Sequence, residues 1–253
     1  MPLKVHQFPC LEDNYGFLAL DEATGLAACI DTPEAGAILR ELKALGWKLD
    51  LILNTHWHPD HAGGNAEIQA ATGCSIVGPA EVTRLTPIDR EVRGGDEVML
   101  GETRFEVIES GGHTLGHIAY FDAADHIAFV GDTLFALGCG RLFEGTPEQM
   151  WGSLQRLAAL PDDTRVYCAH EYTASNARFA LSVDDDPALR ARADLIFAQR
   201  ERDEPTVPTT IGLEKATNPF LRAPKLAQRV GAAGEPDYRA FGAVRAAKDV
   251  FKG

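Results

Sequence analysis

Three histidines and an aspartate fall within six consecutive positions, His56-Trp57-His58-Pro59-Asp60-His61, two residues beyond the apolar run Leu51-Ile52-Leu53. No other feature of the chain limits its fold as tightly. A loop leaving the end of a buried strand aims alternating side chains at one point, so this strand end must face whatever completes the cluster. His56 and His58 can hold one cation while Asp60 and His61 face a second. Imidazole with carboxylate suits zinc, iron or manganese better than calcium or magnesium.

Three further turns, each after an apolar run, supply ligands of the same kind. Gly111-Gly112-His113-Thr114 follows Phe105-Glu106-Val107-Ile108, Gly131-Asp132-Thr133 follows Ile127-Ala128-Phe129-Val130, and Ala169-His170-Glu171 follows Val166-Tyr167-Cys168. Each is weak alone, since Gly-Asp-Thr is a common turn. Together they fill two coordination spheres: His56, His58 and His113 around one ion, and Asp60, His61 and His170 around the other. Asp132, with two carboxylate oxygens, can bridge them.

Hydropathy patterning predicts strands over 3–8, 16–20, 26–30, 51–54, 104–108, 118–121, 127–130 and 165–168. It predicts helices over 33–45, 62–71 and 147–160, with Pro33 and Pro147 each at a first turn after a threonine suited to capping. After Glu171 the strand signal fades, and helices are expected over 174–181, 187–199 and 238–251. The last should turn Phe241, Val244, Ala247 and Val250 or Phe251 to one face. The chain thus reads as an α/β body, 1–173, followed by a mainly helical domain, 174–253.

Charge separates the two parts. The net charge is −13, yet from Lys215 onward eight basic residues face three acidic ones, so the tail carries +5 and the remainder −18. A body that acidic repels a nucleic-acid backbone, whereas the basic tail can receive a small anion. No apolar run approaches the ~20 residues of a bilayer-spanning helix. The first ten residues lack the pattern of a secretory signal. Five cysteines, an odd number with no C-x-x-C pair, suit a reducing compartment. The expectation is a cytoplasmic monomer that binds neither membrane nor nucleic acid.

The run T-H-x-H-x-D-H, followed by G-H-T, G-D-T and a late histidine, resembles the metallo-β-lactamase superfamily. Within it the chain is similar to the glyoxalase II family, the hydroxyacylglutathione hydrolases. That narrower likeness rests on Glu12-Asp13-Asn14-Tyr15, Gly131-Asp132-Thr133-Leu134-Phe135, the stretch from Gly138 to Pro147, His170-Glu171-Tyr172-Thr173, Thr217-Asn218-Pro219-Phe220-Leu221-Arg222 and Arg245-Ala246-Ala247-Lys248-Asp249. The resemblance implies an αββα sandwich carrying two divalent metal ions at one edge, zinc first, with iron or manganese as alternatives. The helical C-terminal domain would then be the substrate side.

It also implies a reaction: hydrolysis of the thioester of an S-(2-hydroxyacyl)glutathione by a hydroxide bridging the two ions, with Asp60 orienting it. A glutathione persulfide dioxygenase, a lactonase of the same fold and a non-catalytic metal-binding module are the alternatives. Arg245 and Lys248, three apart in a helix, match the positions that hold the glycine carboxylate, and Tyr172 matches one that contacts the tripeptide backbone. Some relatives carry lysine and tyrosine where this chain has Arg141 and Phe143; Arg141 keeps a cation, while Phe143 lacks a hydroxyl for glutathione. Gly111 replaces a usual proline, so a looser turn around an intact His113 is expected. Cys139 is read as having no catalytic role, His117 as a packing or outer residue, and His6 and His126 as structural.

Overall fold

Strands β1 (Leu3–Cys10) and β2 (Asn14–Asp21) form an antiparallel hairpin, and β3 (Ala27–Ile30) adds to β2, also antiparallel. From β3 the sheet continues in parallel through β4 (Leu49–Leu53), β5 (Ser75–Gly78) and β6 (Arg90–Glu91). Parallel neighbours need crossovers, and these are α1 (Ala35–Leu45) between β3 and β4, and α2 (Pro59–Ala62) with α3 (Asn65–Thr72) between β4 and β5. This computed structural model describes residues 3–252. Its contacts divide the chain into two compact units, one of residues 3–109 and 116–131, the other of 110–115 and 132–252.

In the first unit, α1 and α3 cover one face of the sheet. Ala35, Ile38 and Leu42 from α1 and Ile68 from α3 join Leu18, Cys29, Ile52 and Ile76 in one buried cluster. Helix α1 ends at Gly46, whose left-handed conformation returns its N–H to the carbonyls of Leu42 and Lys43, the cap glycine favours. Its start departs from expectation. Glu34, not Thr32, is the N-cap, because the Thr32 hydroxyl is committed to Asn65 Oδ1 at 2.7 Å. A second antiparallel sheet follows, β7 (Glu97–Leu100), β8 (Thr103–Glu109), β9 (Ile118–Asp122) and β10 (Ile127–Gly131). Phe129 of β10 meets Phe17 of β2 at 5.8 Å and Phe105 of β8 at 6.3 Å between ring centroids. The buried Tyr120 hydroxyl donates to the carbonyl of Asn54 at 2.9 Å. This aromatic layer is the sandwich core, and it fixes the end of β4, where the histidine loop begins.

In the second unit, β11 (Leu134–Phe135) and β12 (Gly138–Cys139) make a short hairpin, and β13 (Arg165–Cys168) pairs antiparallel with β14 (Thr209–Thr210). Helix α4 (Pro147–Ala158) begins as the sequence predicts: Thr146 caps it, and Thr146 and Gln149 form a reciprocal capping box. Helices α5 (Thr173–Val183) and α6 (Pro187–Arg200) bury Ala177, Ala180, Leu189, Ala193 and Ile196 against Leu137. After the short α7 (Ile211–Thr217) and α8 (Ala223–Leu226) comes α9 (Asp237–Val250). Trp151 of α4 lies 6.1 Å from Phe241 of α9. The buried face of α9 is Ala240, Phe241, Val244 and Arg245; of the two expected ends of the stripe, Val250 is 76% exposed, while Phe251 packs edge-on to Phe179 at 5.5 Å. The helix is rotated to bring Arg245 inward. Among the described residues no helix is long and apolar enough to cross a membrane.

Candidate functional site

The histidine loop of the first unit is built around Asp31, a residue the sequence reading passed over. Asp31 follows β3, is buried and has φ of +58°, a conformation that aspartate tolerates better than most residues. Its Oδ1 accepts from the Thr55 N–H and its Oδ2 from the Thr55 hydroxyl, both at 2.7 Å, and His61 Nδ1 meets Oδ2 at 2.8 Å. The Thr55 hydroxyl thus donates to Asp31 and accepts from His56 Nδ1 at 3.0 Å. These contacts fix both tautomers, leaving Nε2 of His56 and of His61 as lone-pair donors, the arrangement that orients metal-binding imidazoles.

His58 turns its Nδ1 to within 3.0 Å of His56 Nε2, and Asp60 Oδ2 lies 3.5 Å from His61 Nε2. Asn14, from the Glu12-Asp13-Asn14-Tyr15 stretch, donates to Asp60 Oδ2 at 3.2 Å. His117 stacks on His56 with centroids 4.7 Å apart, the packing place expected of it. Gly131, at φ +48°, ends β10 where a Cβ would fall 2.6 Å from Thr55 Oγ1 and 2.7 Å from His117 Nε2. Only glycine passes there. His6 pairs with Glu41 at 2.8 Å, away from the loop.

The second unit holds the remaining expected ligands. Asp132 presents Oδ2 to His113 Nε2 and Oδ1 to His170 Nε2, each at 3.3 Å. One oxygen faces each ring, as a bridge requires. His113 Nδ1 meets the Arg141 carbonyl at 2.9 Å, which leaves Nε2 for an ion. The ring of Tyr172 stacks on that of His170 at 4.6 Å and 2°, and Phe135 packs edge-on to both. The Gly111-Gly112 turn is not loose, contrary to expectation. The Ser153 hydroxyl donates to the Gly111 carbonyl at 2.6 Å. Gly112, at φ +141°, lies so close to α4 that a Cβ would come 2.7 Å from that of Met150. Helix α4 stiffens the approach to His113 in the manner of the missing proline.

These donor sets fit divalent metal. Ligand atoms each ~2.0–2.2 Å from a tetrahedral ion lie ~3.3–3.6 Å apart, whereas a charged N–H···O⁻ bond closes to ~2.7–2.9 Å. The carboxylate–imidazole separations of 3.3 and 3.5 Å match the first case. The Asp31–His61 contact at 2.8 Å matches the second, the distance of an orienting hydrogen bond.

Beside Asp132, within the same unit, opens a cavity of about 480 Å³. Phe143, 63% exposed, lies with its ring edge-on to His113 at 5.2 Å. Tyr172 and Lys248 line the cavity too. Lys248 Nζ donates to the Ser175 carbonyl and hydroxyl at 3.2 and 3.1 Å. Burial, aided by the charges of Arg245, Arg141 and Arg178, brings its ammonium down to about 8. Arg245 is enclosed. It is 5% exposed, donates to the Cys139 carbonyl at 2.8 Å and to Asp249 at 3.0 Å, and lies over Phe220 at 5.0 Å. The Arg141 side chain is exposed, 3.9 Å from Asp249. Burial pushes the Cys139 thiol up to about 11, with Arg245 opposing, so it is no thiolate nucleophile near neutral pH.

Comparison with known proteins agrees with this chemistry. Residues 22–170 match the family described as metallo-beta-lactamase superfamily, and residues 171–251 match hydroxyacylglutathione hydrolase C-terminus. The chain is 55% identical to the hydroxyacylglutathione hydrolase of Erythrobacter litoralis, covering 98% of this chain and 100% of that one. It is 54% identical to the hydroxyacylglutathione hydrolase of Maricaulis maris, covering 98% and 99%. Among solved structures, ETHE1 from Myxococcus xanthus matches with a TM-score of 0.67 and 26% identity over 98% of each chain. TTHA1623 in a di-iron-bound form matches with a TM-score of 0.63 and 25% identity over 86% of this chain and 100% of that one.

Proposed function

Because the chain belongs to the hydroxyacylglutathione hydrolase family of the metallo-beta-lactamase superfamily, we propose that it hydrolyses the thioester of an S-(2-hydroxyacyl)glutathione. S-D-lactoylglutathione is the first expected substrate, giving glutathione and D-lactate, the second step of methylglyoxal detoxification. The observation that carries this reading is the Asp132 carboxylate, split between His113 and His170 at the mouth of a cavity with a cationic wall.

His56, His58 and His113 would hold one ion and Asp60, His61 and His170 the other, with Asp132 shared and zinc the first expectation. When bound, two such ions supply an activated water at neutral pH and positive charge for the developing oxyanion. Asp60, steadied by Asn14, accepts a hydrogen bond from the attacking water and sets its direction. Lys248 attracts the glycine carboxylate of glutathione, Arg245 shapes that end of the cavity, and Tyr172 and Phe143 flank the tripeptide. Attack at the carbonyl carbon breaks the C–S bond. The thiol released has an ordinary pKa of ~8.5, so it departs as thiolate without a general acid, consistent with a site holding ligands and no spare acid.

The substrate domain is taken to begin near 174. Five buried free thiols support a reducing, cytoplasmic setting, and a net charge of −13 favours a monomer by self-repulsion. The test is hydrolysis of S-D-lactoylglutathione by purified protein, followed at the thioester absorbance, with metal analysis of the same sample. Turnover with two ions per chain is expected. A metal-loaded protein that leaves the thioester intact would sink the reading, and a single iron with oxygen consumption would favour the dioxygenase.

A further inference from the structure

The motif Thr217-Asn218-Pro219-Phe220 carries no ligand and does not line the cavity, yet its asparagine reaches the segment on which every expected ligand of the second unit leans. That segment is the β11–β12 hairpin. Asp132 stands two residues before it, Arg141 two residues after it offers its carbonyl to His113, and Phe135 within it packs against His170. A two-residue hairpin with a non-glycine residue, Leu137, at φ +56° is a poor structure on its own, since such a conformation costs energy unless the surroundings impose it.

The surroundings do impose it. Asn218, fully buried, shares its amide N–H groups among the Phe135 carbonyl at 3.2 Å, the Gly138 carbonyl at 3.0 Å and Glu214 Oε2 at 2.9 Å. Its Oδ1 accepts from the Phe220 N–H at 2.9 Å. Glu214, also fully buried, accepts the Leu137 N–H at 2.9 Å. Its other oxygen accepts from Thr209 Oγ1 at 2.6 Å and from Arg192, whose charge compensates the buried carboxylate. Asn176 closes the set by donating to the Ala136 carbonyl at 3.1 Å. Main-chain groups of four consecutive residues, 135 to 138, are thus held by three side chains from the helical part of the chain. The clamp borders the cavity at Asn176, which lines it, and at Phe220, whose ring lies under Arg245 at 5.0 Å.

We propose that Asn218 and Glu214 are positioning residues that set the geometry of Asp132, His113 and His170 through the hairpin. The helical region then acts on the metal ligands as well as on the substrate. This rests on the metal-hydrolase reading above. Outer partners of metal ligands are typically worth about ten- to hundred-fold in affinity or activity.

The experiment compares wild type, Asn218→Ala, Glu214→Gln and, as a control on the same helix, Lys215→Ala, whose partner Asp162 is exposed. Metal retained after timed dialysis against a chelator, kcat, KM for S-D-lactoylglutathione and the thermal midpoint are read on each. Asn218→Ala is expected to stay folded, release metal about ten-fold faster and lose about ten-fold or more in kcat, with KM little changed. Glu214→Gln, which keeps one acceptor for Leu137, should move the same way by less, and Lys215→Ala should match wild type. If Asn218→Ala fails to fold, Glu214→Gln decides by the same readings. A lowered midpoint with wild-type metal retention and kcat in the folded variants would reduce the clamp to a structural role and overturn the proposal, as would a change confined to KM. A wild type that takes up no metal would overturn the hydrolase reading and this inference together; a wild type that loads and turns over no better than the variants would overturn this inference alone.

Discussion

Lys248 gives the cavity its pH response. Its ammonium is brought down to about 8 in the fold, so it is charged below that pH and neutral above it. KM for a glutathione thioester should therefore rise as pH passes from 7 to 9, with kcat changing far less, because the glycine carboxylate it is proposed to attract is remote from the thioester. Lys248→Arg keeps its charge across the range and should flatten the profile; a wild-type KM that stays level to pH 9 would remove Lys248 from substrate binding. Arg245 is a less clean probe, since truncating it also strips the Cys139 carbonyl and Asp249 of a donor. At the ligands, Asp132→Ala should abolish detectable turnover and lower metal content, with the far-UV spectrum unchanged. Full metal content in that variant would refute the bridging role. His56, His58, Asp60 and His61 were legible because they lie in one run, whereas Asp31, Asn218 and Glu214 were not. Their partners on the site side, Thr55 for Asp31 and residues 135, 137 and 138 for the other two, are 24 to 83 residues away, and no local pattern distinguishes an orienting carboxylate from a surface one. One cue existed for Asp31: Ile30-Asp31-Thr32 repeats the strand–Asp–Thr form of the Asp132 turn.

At the scale of elements, helices with strong end signals came out close to the structure. Thr146-Pro147 marks the start of α4, and the expected 147–160 becomes Pro147–Ala158. Thr146→Ala removes the capping box and should cost about 0.5–2 kcal/mol, read as a lower denaturant midpoint at unchanged slope. Since α4 also carries Ser153 and Met150 against the His113 turn, kcat is the informative companion measurement, and it should hold while the helix end merely frays. The same Thr-Pro signal misled at Thr32. The left-handed Asp31 before it redirects the chain, and the Thr32 hydroxyl is drawn to Asn65. Strands β5 and β7 escaped the sequence reading, although β3 and β13, of the same four-residue length, did not. In Glu97-Val98-Met99-Leu100 only Val98 and Leu100 face inward, too short an alternation to stand out between glycines.

For the whole molecule, ion binding is linked to stability. Ligand that binds only the folded state adds about 2.7 kcal/mol at a hundred-fold excess over its dissociation constant. Chelation should therefore lower the thermal midpoint, and titration with zinc, iron or manganese should restore it in proportion to affinity. Calorimetry of the stripped and reloaded protein checks this, and an unchanged midpoint would mean that the unfolded chain binds the metal equally well. The fold class was readable from the order of strands and helices, but the division of contacts was not, because residues 110–115 pack with a stretch far downstream rather than with the strands that flank them.

That detachment has a temporal side. The bond from Ser153 to Gly111 spans 42 residues, and ribosomes add about 5–20 residues per second. For roughly 2–8 s of synthesis, a nascent chain displays the His56 loop while the backbone beside His113 still waits for its anchor to be made. Metal captured in that interval would meet the early histidines alone.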